Sequence, residues 1–333
     1  MKTVSIFLCL ALLLPALLTT ASAQRVIGTI DIYGNGSISK AAIQSALQLK
    51  EGDTLFTPTT ELDKKLLQIP GIKKASTSVI CCEAGKFILY TGVSETTDSV
   101  NWRLVKGSAY QLPARLQEIY STYETALKQA VIKGDNEDDL SAGHSLMHNP
   151  EVRKIQDSMI PLANSYFAEL NKVLQSSTLP DQRAIAAYII AYYNDKVKVA
   201  NAYNSAMNDP SSSVRNNIFR ALRGIAEYRD KHPELPIHIE TGFFIKMLHS
   251  VQWSDRDKAV FTLVALTEKR DPALLKQLKM HALQPLLEIA RWKSAGHAVL
   301  AYVIAGRIAG MADDEIFGSW TTGKKERVFN AAF

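Results

Sequence analysis

Four side chains that could take part in metal or acid-base chemistry lie in one polar stretch, residues 135–148. Asp138 and Asp139 are followed by His144 and His148, which stand four positions apart. On a helix that spacing puts both imidazoles on one face, where they could hold a metal ion together with an aspartate. We predict a surface loop with solvent-facing or hydrogen-bonded histidines. A metal-dependent or catalytic site in this stretch is the alternative.

Ser145 is the candidate nucleophile of the same stretch, in the sequence Gly143-His144-Ser145. A nucleophile elbow requires a buried strand before the serine and a glycine two positions after it. Here the preceding residues are polar and acidic, and Met147 stands where the glycine is needed. A zinc protease would carry a Glu at the position of Ser145. These departures disfavour both a serine hydrolase and a zinc protease, and we predict a protein that is not an enzyme.

Two adjacent cysteines, Cys81 and Cys82, lie in a predicted strand. Neighbouring side chains on a strand point to opposite faces, so we expect one thiol to be buried and the other exposed. A disulfide between neighbours requires an unfavourable peptide geometry, and a metal site would need two further ligands. Ordinary strand residues are the favoured interpretation. A redox role, or pairing to a second chain in an oxidising compartment, is the alternative.

The glycine pattern Gly34-x-Gly36-x-x-Ser39 follows a predicted strand and precedes a predicted helix, as a dinucleotide-binding fingerprint does. The third glycine is replaced by Ser39, and no acidic residue ends a second strand at the expected distance. We interpret the pattern as a turn and a helix cap, and predict no cofactor.

The composition is that of an ordinary globular protein. Hydrophobic residues make up 47% of the 333 residues and charged residues 21%. The chain has 38 Lys and Arg residues against 33 Asp and Glu residues, which gives a net charge of +5. That charge is too small to attract a polyanion. No basic run is interleaved with aromatic residues, so we predict no nucleic-acid binding.

The N-terminus, residues 1–23, has the pattern of a secretory signal peptide. Lys2 supplies the positive start, residues 6–18 form an apolar run, and Ala21-Ser22-Ala23 is a small-x-small cleavage site. The apolar run is shorter than the roughly 20 residues that a membrane-spanning helix needs. We expect a mature chain from Gln24, without a transmembrane segment. It would be exported to the periplasm, the cell envelope or the medium.

Residues 24–95 have the pattern of a small α/β module. The pattern predicts a strand at 26–32, a helix capped by Ser39, a helix near 59–69, and strands at 75–82 and 86–94. The predicted order is therefore β-α-α-β-β.

This order and its turn residues resemble the POTRA domain of outer-membrane assembly and secretion proteins. The resemblance is carried by Ile30-Asp31-Ile32, Gly34-Asn35, Ile38-Ser39, Ile43, Leu47, Gly52-Asp53, Leu66, Ile69, Gly71-Ile72, Val79 and Val93-Ser94-Glu95. It implies that the module binds other polypeptides, often by accepting a strand at an open sheet edge. This chain has one such module and no barrel pattern after it, so the resemblance does not extend to barrel insertion.

Residues 96–113 show no clear period and are interpreted as a linker in which Trp102 packs against a neighbouring element. A helical segment, residues 114–177, follows and contains the polar stretch described above. Residues 178–311 carry helix pairs that recur at steps of roughly 30 to 45 residues. The last residues, 312–333, are expected to form a polar cap or a flexible tail.

The best defined helix pair contains a turn at Asp209-Pro210. Asp209 could cap the following helix and Pro210 suits its first turn. Together with Val214-Arg215 and Ala221-Leu222, this turn resembles a HEAT repeat. The resemblance implies that Asp209, Pro210 and Arg215 are structural residues that stabilise the stacking of successive copies.

These patterns predict an α+β chain with a small N-terminal βααββ (POTRA-like) domain and a mainly α-helical HEAT-like superhelical repeat domain. We predict an exported, non-enzymatic scaffold or adaptor of the bacterial cell envelope. It would bind polypeptide partners through a sheet edge and the curved surface of its repeats. The identity of the partner and the oligomeric state are left open.

Overall fold

The computed structural model describes residues 25–97, 100–135 and 137–333, so the predicted signal peptide lies outside the described residues. The chain is α+β and mainly helical. Its described residues form thirteen helices, one three-stranded sheet and one two-stranded pair. Within them, no helix combines the length and apolar character needed to cross a membrane.

The N-terminal part has the predicted element order. It contains β1 (Ile27–Tyr33), α1 (Lys40–Leu47), α2 (Thr59–Leu66), β2 (Lys74–Glu83) and β3 (Lys86–Ser94). The sheet order is β1-β3-β2, with β3 parallel to β1 and antiparallel to β2. The central strand is thus the last in the chain, and β1 and β2 form the two edges.

One face of the sheet is covered by α1 and α2. Alternate strand residues such as Ile30, Ile32 and Leu89 point to this face and form a small core with Ile43 of α1 and Leu62 of α2. The start of α1 is fixed by its cap, because the hydroxyl of Ser39 accepts a hydrogen bond from the N–H of Ala42 at 3.2 Å.

The helical part follows the linker. It contains α3 (Ala114–Ile132), β4 (Asp138–Asp139), β5 (Leu146–Met147), α4 (Pro150–Ser176), α5 (Pro180–Ile190), α6 (Lys196–Asn204), α7 (Ser212–Lys231), α8 (Gly242–Met247), α9 (Trp253–Leu266), α10 (Pro272–Ile289), α11 (Ala295–Ile308), α12 (Asp313–Thr321) and α13 (Glu326–Ala332). Long helices pack on their neighbours in succession, and their apolar faces merge into one large core.

The second face of the sheet packs on these helices. Tyr90 of β3 stacks on Trp253 with ring centroids 5.4 Å apart and lies 4.8 Å from the ring of Trp292. Gly92 is needed here, because a Cβ atom at this position would lie 2.1 Å from the carbonyl oxygen of Val251. The hydroxyl of Tyr33 donates to the same carbonyl at 2.9 Å. Helices therefore cover both faces of the sheet, so a partner could reach the sheet only at its edges.

Buried ion pairs connect successive helices. Asp209 is fully buried and accepts hydrogen bonds from Nε and Nη2 of Arg183, both at 2.8 Å. Arg215 of α7 donates in the same bidentate way to Asp255 of α9, again at 2.8 Å. Burial alone would raise the pKa of Asp209, but hydrogen bonds, the strongest from Arg183, hold it below its ordinary value.

The turn before α7 differs in detail from the predicted cap. The N-cap residue is Ser211, and its side chain makes no capping hydrogen bond. Asp209 instead accepts from the N–H of Ser211 at 2.8 Å, and Pro210 lies in the turn outside the helix. The carboxylate of Asp209 therefore bonds the N-cap residue and not the first-turn N–H groups of α7, and Arg103 and Arg183 hold it in the interior.

The described part of the linker is fixed to the helices. Arg103 donates from Nη2 to the carbonyl of Leu174 and to Asp209, both at 2.6 Å. The ring of Trp102 lies over the guanidinium of Arg215 at 4.2 Å and meets Phe243 edge-on at 6.1 Å. Trp102 thus contacts the helical part, while 38% of the residue stays exposed.

Candidate functional site

The two histidines of the polar stretch are not brought together. The short strands β4 and β5 pair with each other, so the stretch is not helical. His144 is buried, with Nδ1 3.0 Å from Nζ of Lys196. His148 is exposed, and its Nδ1 lies 3.3 Å from a carboxylate oxygen of Glu137. The shared helix face on which the metal alternative depended is therefore not formed.

The two aspartates of the stretch have partners within the protein. Asp138 accepts from the hydroxyl of Ser145 at 2.5 Å and from Nη2 of Arg220 at 3.3 Å. Asp139 accepts from the N–H of Ser141 at 2.8 Å. Over residues 25–97, 100–135 and 137–333, no group of three or more His, Cys, Asp or Glu side chains is arranged to hold a metal ion.

His144 and Lys196 form a buried contact that anchors the stretch to α6. The ammonium of Lys196 also donates to the carbonyls of Ala191 at 2.7 Å and Tyr193 at 2.9 Å. Burial lowers the pKa of Lys196 to about 7. Burial, followed by the charge of Lys196, lowers the pKa of His144 to about 3. His144 is therefore neutral at physiological pH, and its environment is that of a structural residue.

The adjacent cysteines are joined to each other. A disulfide links Cys81 and Cys82, and the peptide bond between them is cis. The expectation that they are ordinary strand residues with thiols on opposite faces is therefore wrong. The pair lies near the end of β2, where the register with β3 shifts between Ile80 and Glu83. This position leaves Cys82 exposed.

The glycine turn after β1 is held by carboxylates. The N–H of Gly34 donates to Glu288 of α10 at 2.8 Å. Ser37 donates from its hydroxyl to Glu95 at 2.5 Å, and the N–H of Ile38 donates to the same carboxylate at 3.0 Å. These contacts tie the turn to α10 and to the end of β3.

The edge strand β2 turns alternate backbone groups away from β3. The N–H of Phe87 in β3 donates to the carbonyl of Val26, so residue 87 faces the β1 side. Backbone direction alternates along a strand, so residues 88, 90 and 92 of β3 face β2. Their register partners on β2 are the even-numbered residues 76, 78 and 80. The odd-numbered residues Thr77 and Val79 therefore point their N–H and C=O groups away from β3. Thr77 is buried and its N–H bonds the carboxylate of Asp63 in α2, so within the described residues Val79 is the open position.

A groove of about 720 Å³ runs along this edge. Thr77 to Ile80 of β2 form one wall, and the loop around Phe56 and Pro58 forms another. The side chain of Phe56 is 84% exposed, which is unusual for a residue of its size. At the far end the groove reaches Trp253 and Ser254 in the first turn of α9. An extended backbone lying in the groove would meet the outward groups of Val79.

A second, smaller cavity shares one lining residue with the groove. It measures about 300 Å³ and is lined by Tyr120, Tyr123, Glu124 and Leu127 of α3, Tyr188 of α5, Ser212, Ser213, Asn216, Asn217 and Arg220 of α7, and Ser254 of α9. We call it the Arg220 pocket. Ser254 in the first turn of α9 lines both cavities.

Comparison with known proteins does not assign the chain to a family. A scan against protein-family models finds no match, and a search among curated proteins finds no similar sequence. The sequence pattern also did not indicate that the residues lining the two cavities lie close together. Phe56 lies in a loop, and the pattern around Tyr123 and Arg220 predicts only that they belong to helices. Their roles follow from the packing of distant segments.

Proposed function

We propose that this protein is an exported, non-enzymatic adaptor that holds an extended segment of another polypeptide at the edge of β2. The observation that carries the proposal is the outward backbone of Val79 beside a groove bordered by exposed Phe56. Strand addition supplies affinity through main-chain hydrogen bonds, and the groove wall supplies contacts for side chains.

The other edge of the sheet is less suited to this role, which favours β2. The N–H of Ile27 in β1 donates to the carbonyl of Asp53 at 2.8 Å, and the N–H of Gly52 donates back to Ile27 at 2.7 Å. The N–H of Ile30 donates to the carboxylate of Glu51 at 3.1 Å. These bonds occupy the outer side of β1, and an unprotected edge is what an incoming strand requires.

The resemblance of residues 26–95 to the POTRA domain supports the same function. In this proposal the module is a docking domain, and the helices act as a rigid support with a HEAT-like arrangement. The paired arginines and aspartates support the repeat interpretation, because two bidentate contacts have the same form. Arg183 of α5 bonds Asp209 in the turn before α7, and Arg215 of α7 bonds Asp255 in the first turn of α9.

Export is supported by the leader pattern of residues 1–23 and by the disulfide. Disulfides persist in oxidising compartments such as the bacterial periplasm and are rare in the cytosol. The bond between Cys81 and Cys82 is therefore in keeping with a protein of the cell envelope. The proposed partner is an envelope polypeptide with an extended segment.

The test is a capture experiment with two substitutions at one position. Val79→Pro removes an outward N–H without removing a hydrogen bond to β3, and proline is tolerated at such edge positions. Val79→Thr keeps the N–H and the side-chain shape and is the matched control. We expect the unchanged protein and Val79→Thr to capture the same polypeptide from an envelope fraction, and Val79→Pro to lose it. Equal capture by all three proteins would contradict strand addition at this edge.

A further inference from the structure

A β-bulge at the end of the edge strand β2 contains the two cysteines. The register pairs on either side of it are Ile80 with Ile88 and Glu83 with Lys86. Between these pairs β2 contributes two residues, Cys81 and Cys82, and β3 contributes one, Phe87. Two residues opposite one define a bulge, which interrupts the pairing of a strand. The bulge follows directly on Ile80, the last β2 residue of the groove wall.

The disulfide fixes the position of this bulge. The β3 partners of Ile80 and Glu83 are two residues apart, so both pairs lie on the same face of the sheet. Regular alternation over the three steps from Ile80 to Glu83 would put these two side chains on opposite faces. One of the three steps therefore does not alternate. The bond between Cys81 and Cys82 holds two neighbouring side chains together, which places the irregular step between them.

The hairpin turn after the bulge is not the one that its sequence favours. The pairing of Glu83 with Lys86 leaves a two-residue loop, Ala84-Gly85, with φ values of 49° and 74°. Glycine adopts positive φ readily, whereas alanine pays a steric cost there. The sequence Glu83-Ala84-Gly85 suits a three-residue loop, because only the last residue of that loop is left-handed and here it is a glycine.

A three-residue loop would shift the pairing at the end of β2 by one residue. The new pairs would be Cys82 with Lys86 and Cys81 with Phe87, and β2 would alternate without a bulge. The two cysteine side chains would then point to opposite faces, which the bond between them prevents. Like Val79, Cys81 would turn its N–H and C=O groups away from β3, so the open edge would gain one position.

The bond is accessible to a thiol and connects no distant parts of the chain. Cys82 is exposed, as are the residues of the turn that follows it. Exposed disulfides are the ones that are readily reduced. A disulfide can stabilise a fold by closing a loop of the unfolded chain, and a bond between neighbouring residues closes almost none. Its main effect is therefore on the local register of β2.

We propose that the Cys81–Cys82 disulfide is a thiol-exchange site, and that its reduction by a dithiol shifts the end of β2 into the second register. A thiolate of the dithiol attacks Sγ of Cys82 and forms a mixed disulfide, and Cys81 leaves as a thiolate that takes up a proton. The second thiol of the reductant then displaces Cys82 as a thiol. The dithiol becomes a disulfide, and the protein gains two electrons and two protons.

The position of Cys81 selects a dithiol over a single thiol. In the mixed disulfide Cys81 is the neighbouring residue, so its thiolate would expel a single thiol and restore the original bond. A reductant with its own second thiol completes the reaction before this reversal. The chemical class of the partner is therefore a dithiol.

The effect on capture rests on the proposed function. The oxidised protein would hold an added strand at Val79, and the reduced protein would hold it at Val79 and Cys81. The second position adds backbone hydrogen bonds to the held polypeptide. Reduction should therefore strengthen capture roughly tenfold.

The experiment measures the chemistry and the register without the captured polypeptide. The oxidised protein is treated under native conditions with dithiothreitol, or with glutathione at the same thiol concentration. Free thiols are alkylated, and the peptide that carries both cysteines is analysed by mass spectrometry. We expect dithiothreitol to reduce the bond without denaturant and glutathione to leave it intact. Contacts between backbone amides in NMR spectra then give the residue opposite Lys86, which should change from Glu83 to Cys82.

Three variants connect the register to the bond and the turn. The double variant Cys81→Ser, Cys82→Ser lacks the bond and should show the second register without a reductant. Ala84→Asn supplies the Asn-Gly sequence that most favours a two-residue loop, so it should keep the first register after reduction. Ala84→Lys is the matched control at the same exposed position. It lacks that turn preference and should shift as the unchanged protein does.

The outcomes separate this inference from the proposed function. Reduction only after unfolding, or equal reduction by glutathione, would overturn the dithiol exchange. Reduction that leaves Glu83 opposite Lys86 would overturn the register shift, whatever the protein captures. A shift with equal capture before and after it, lost in Val79→Pro, would overturn only the added position. A shift in a protein whose capture is unaffected by Val79→Pro would overturn strand addition and leave the exchange site standing.

Discussion

The hydroxyl of Tyr90 lies 2.7 Å from Nδ1 of His297 and joins the central strand of the sheet to α11. Both side chains are at the contact between the N-terminal module and the helices, beside Trp253 and Trp292. This contact joins the sheet that carries the β2 edge to the helices. The groove therefore depends on the packing of two parts of the chain that are distant in sequence.

Removing the Tyr90 hydroxyl should weaken that contact. Tyr90→Phe leaves the partly buried His297 without its partner, at an expected cost of about 1 kcal/mol in the free energy of unfolding. Urea denaturation followed by circular dichroism would measure it. Tyr193→Phe is the control, because that ring stacks on Phe167 at 4.0 Å and its described contacts do not use the hydroxyl. An equal effect of both substitutions would count against the contact.

A methyl group at Gly92 should separate the sheet from the helices. The added Cβ would lie 2.1 Å from the carbonyl oxygen of Val251 and 2.5 Å from the ring of Tyr33, so Gly92→Ala should destabilise the protein by about 2 kcal/mol or more. Gly296→Ala is the matched change, since nothing lies within 4 Å of its Cβ and alanine favours the helix α11. Thermal unfolding should show a lower Tm for the first variant and an unchanged or higher Tm for the second.

Neutralising Asp209 should be severely destabilising. Asp209→Asn would leave the buried Arg183 and the partly buried Arg103 without a counter-charge, at an expected cost of about 3–5 kcal/mol. Asp157→Asn removes a carboxylate whose pair with Arg153 is exposed, and should cost less than about 0.5 kcal/mol. Chemical denaturation of both variants gives the comparison. Similar costs would show that the buried pairs do not stabilise the helix stack.

Acid should destabilise the protein through His144. Its pKa is lowered to about 3 in the fold, while in the unfolded chain it is about 6.5, so the unfolded state binds more protons between these values. Stability should therefore fall as the pH drops from about 6.5 towards 3, by an amount on the order of a few kcal/mol. His144→Gln should flatten this dependence in unfolding curves measured at each pH. His148→Gln, at an exposed position, should leave it unchanged.

Local patterns in the sequence predicted the strands and helices of the N-terminal module, because apolar residues recur with a different period in a strand and in a helix. The cap at Ser39 and the order of strands and helices followed from them. Long-range packing could not be predicted in this way. Nothing near Gly92 in the sequence indicates the carbonyl of Val251, and nothing near Arg103 indicates the buried carboxylate of Asp209.

For the candidate site, the sequence predicted only the kind of site, a sheet edge that accepts a strand, and not its location. An open sheet edge was expected from the resemblance to the POTRA domain, but the bonds between Ile27 and Asp53 that occupy the β1 edge were not predictable. The polar stretch drew attention because histidines and aspartates are common metal ligands. In the fold, burial beside Lys196 separates His144 from His148, so the spacing of the two histidines was misleading.

Amide hydrogen exchange along β2 tests the central claim most directly. The N–H of Ser78 and of Ile80 already faces β3, whereas the N–H of Val79 points outward. Addition of the captured polypeptide should slow exchange at Val79 and leave Ser78 and Ile80 nearly unchanged. Protection confined to other parts of the chain, with exchange at Val79 as fast as before, would contradict strand addition at the β2 edge.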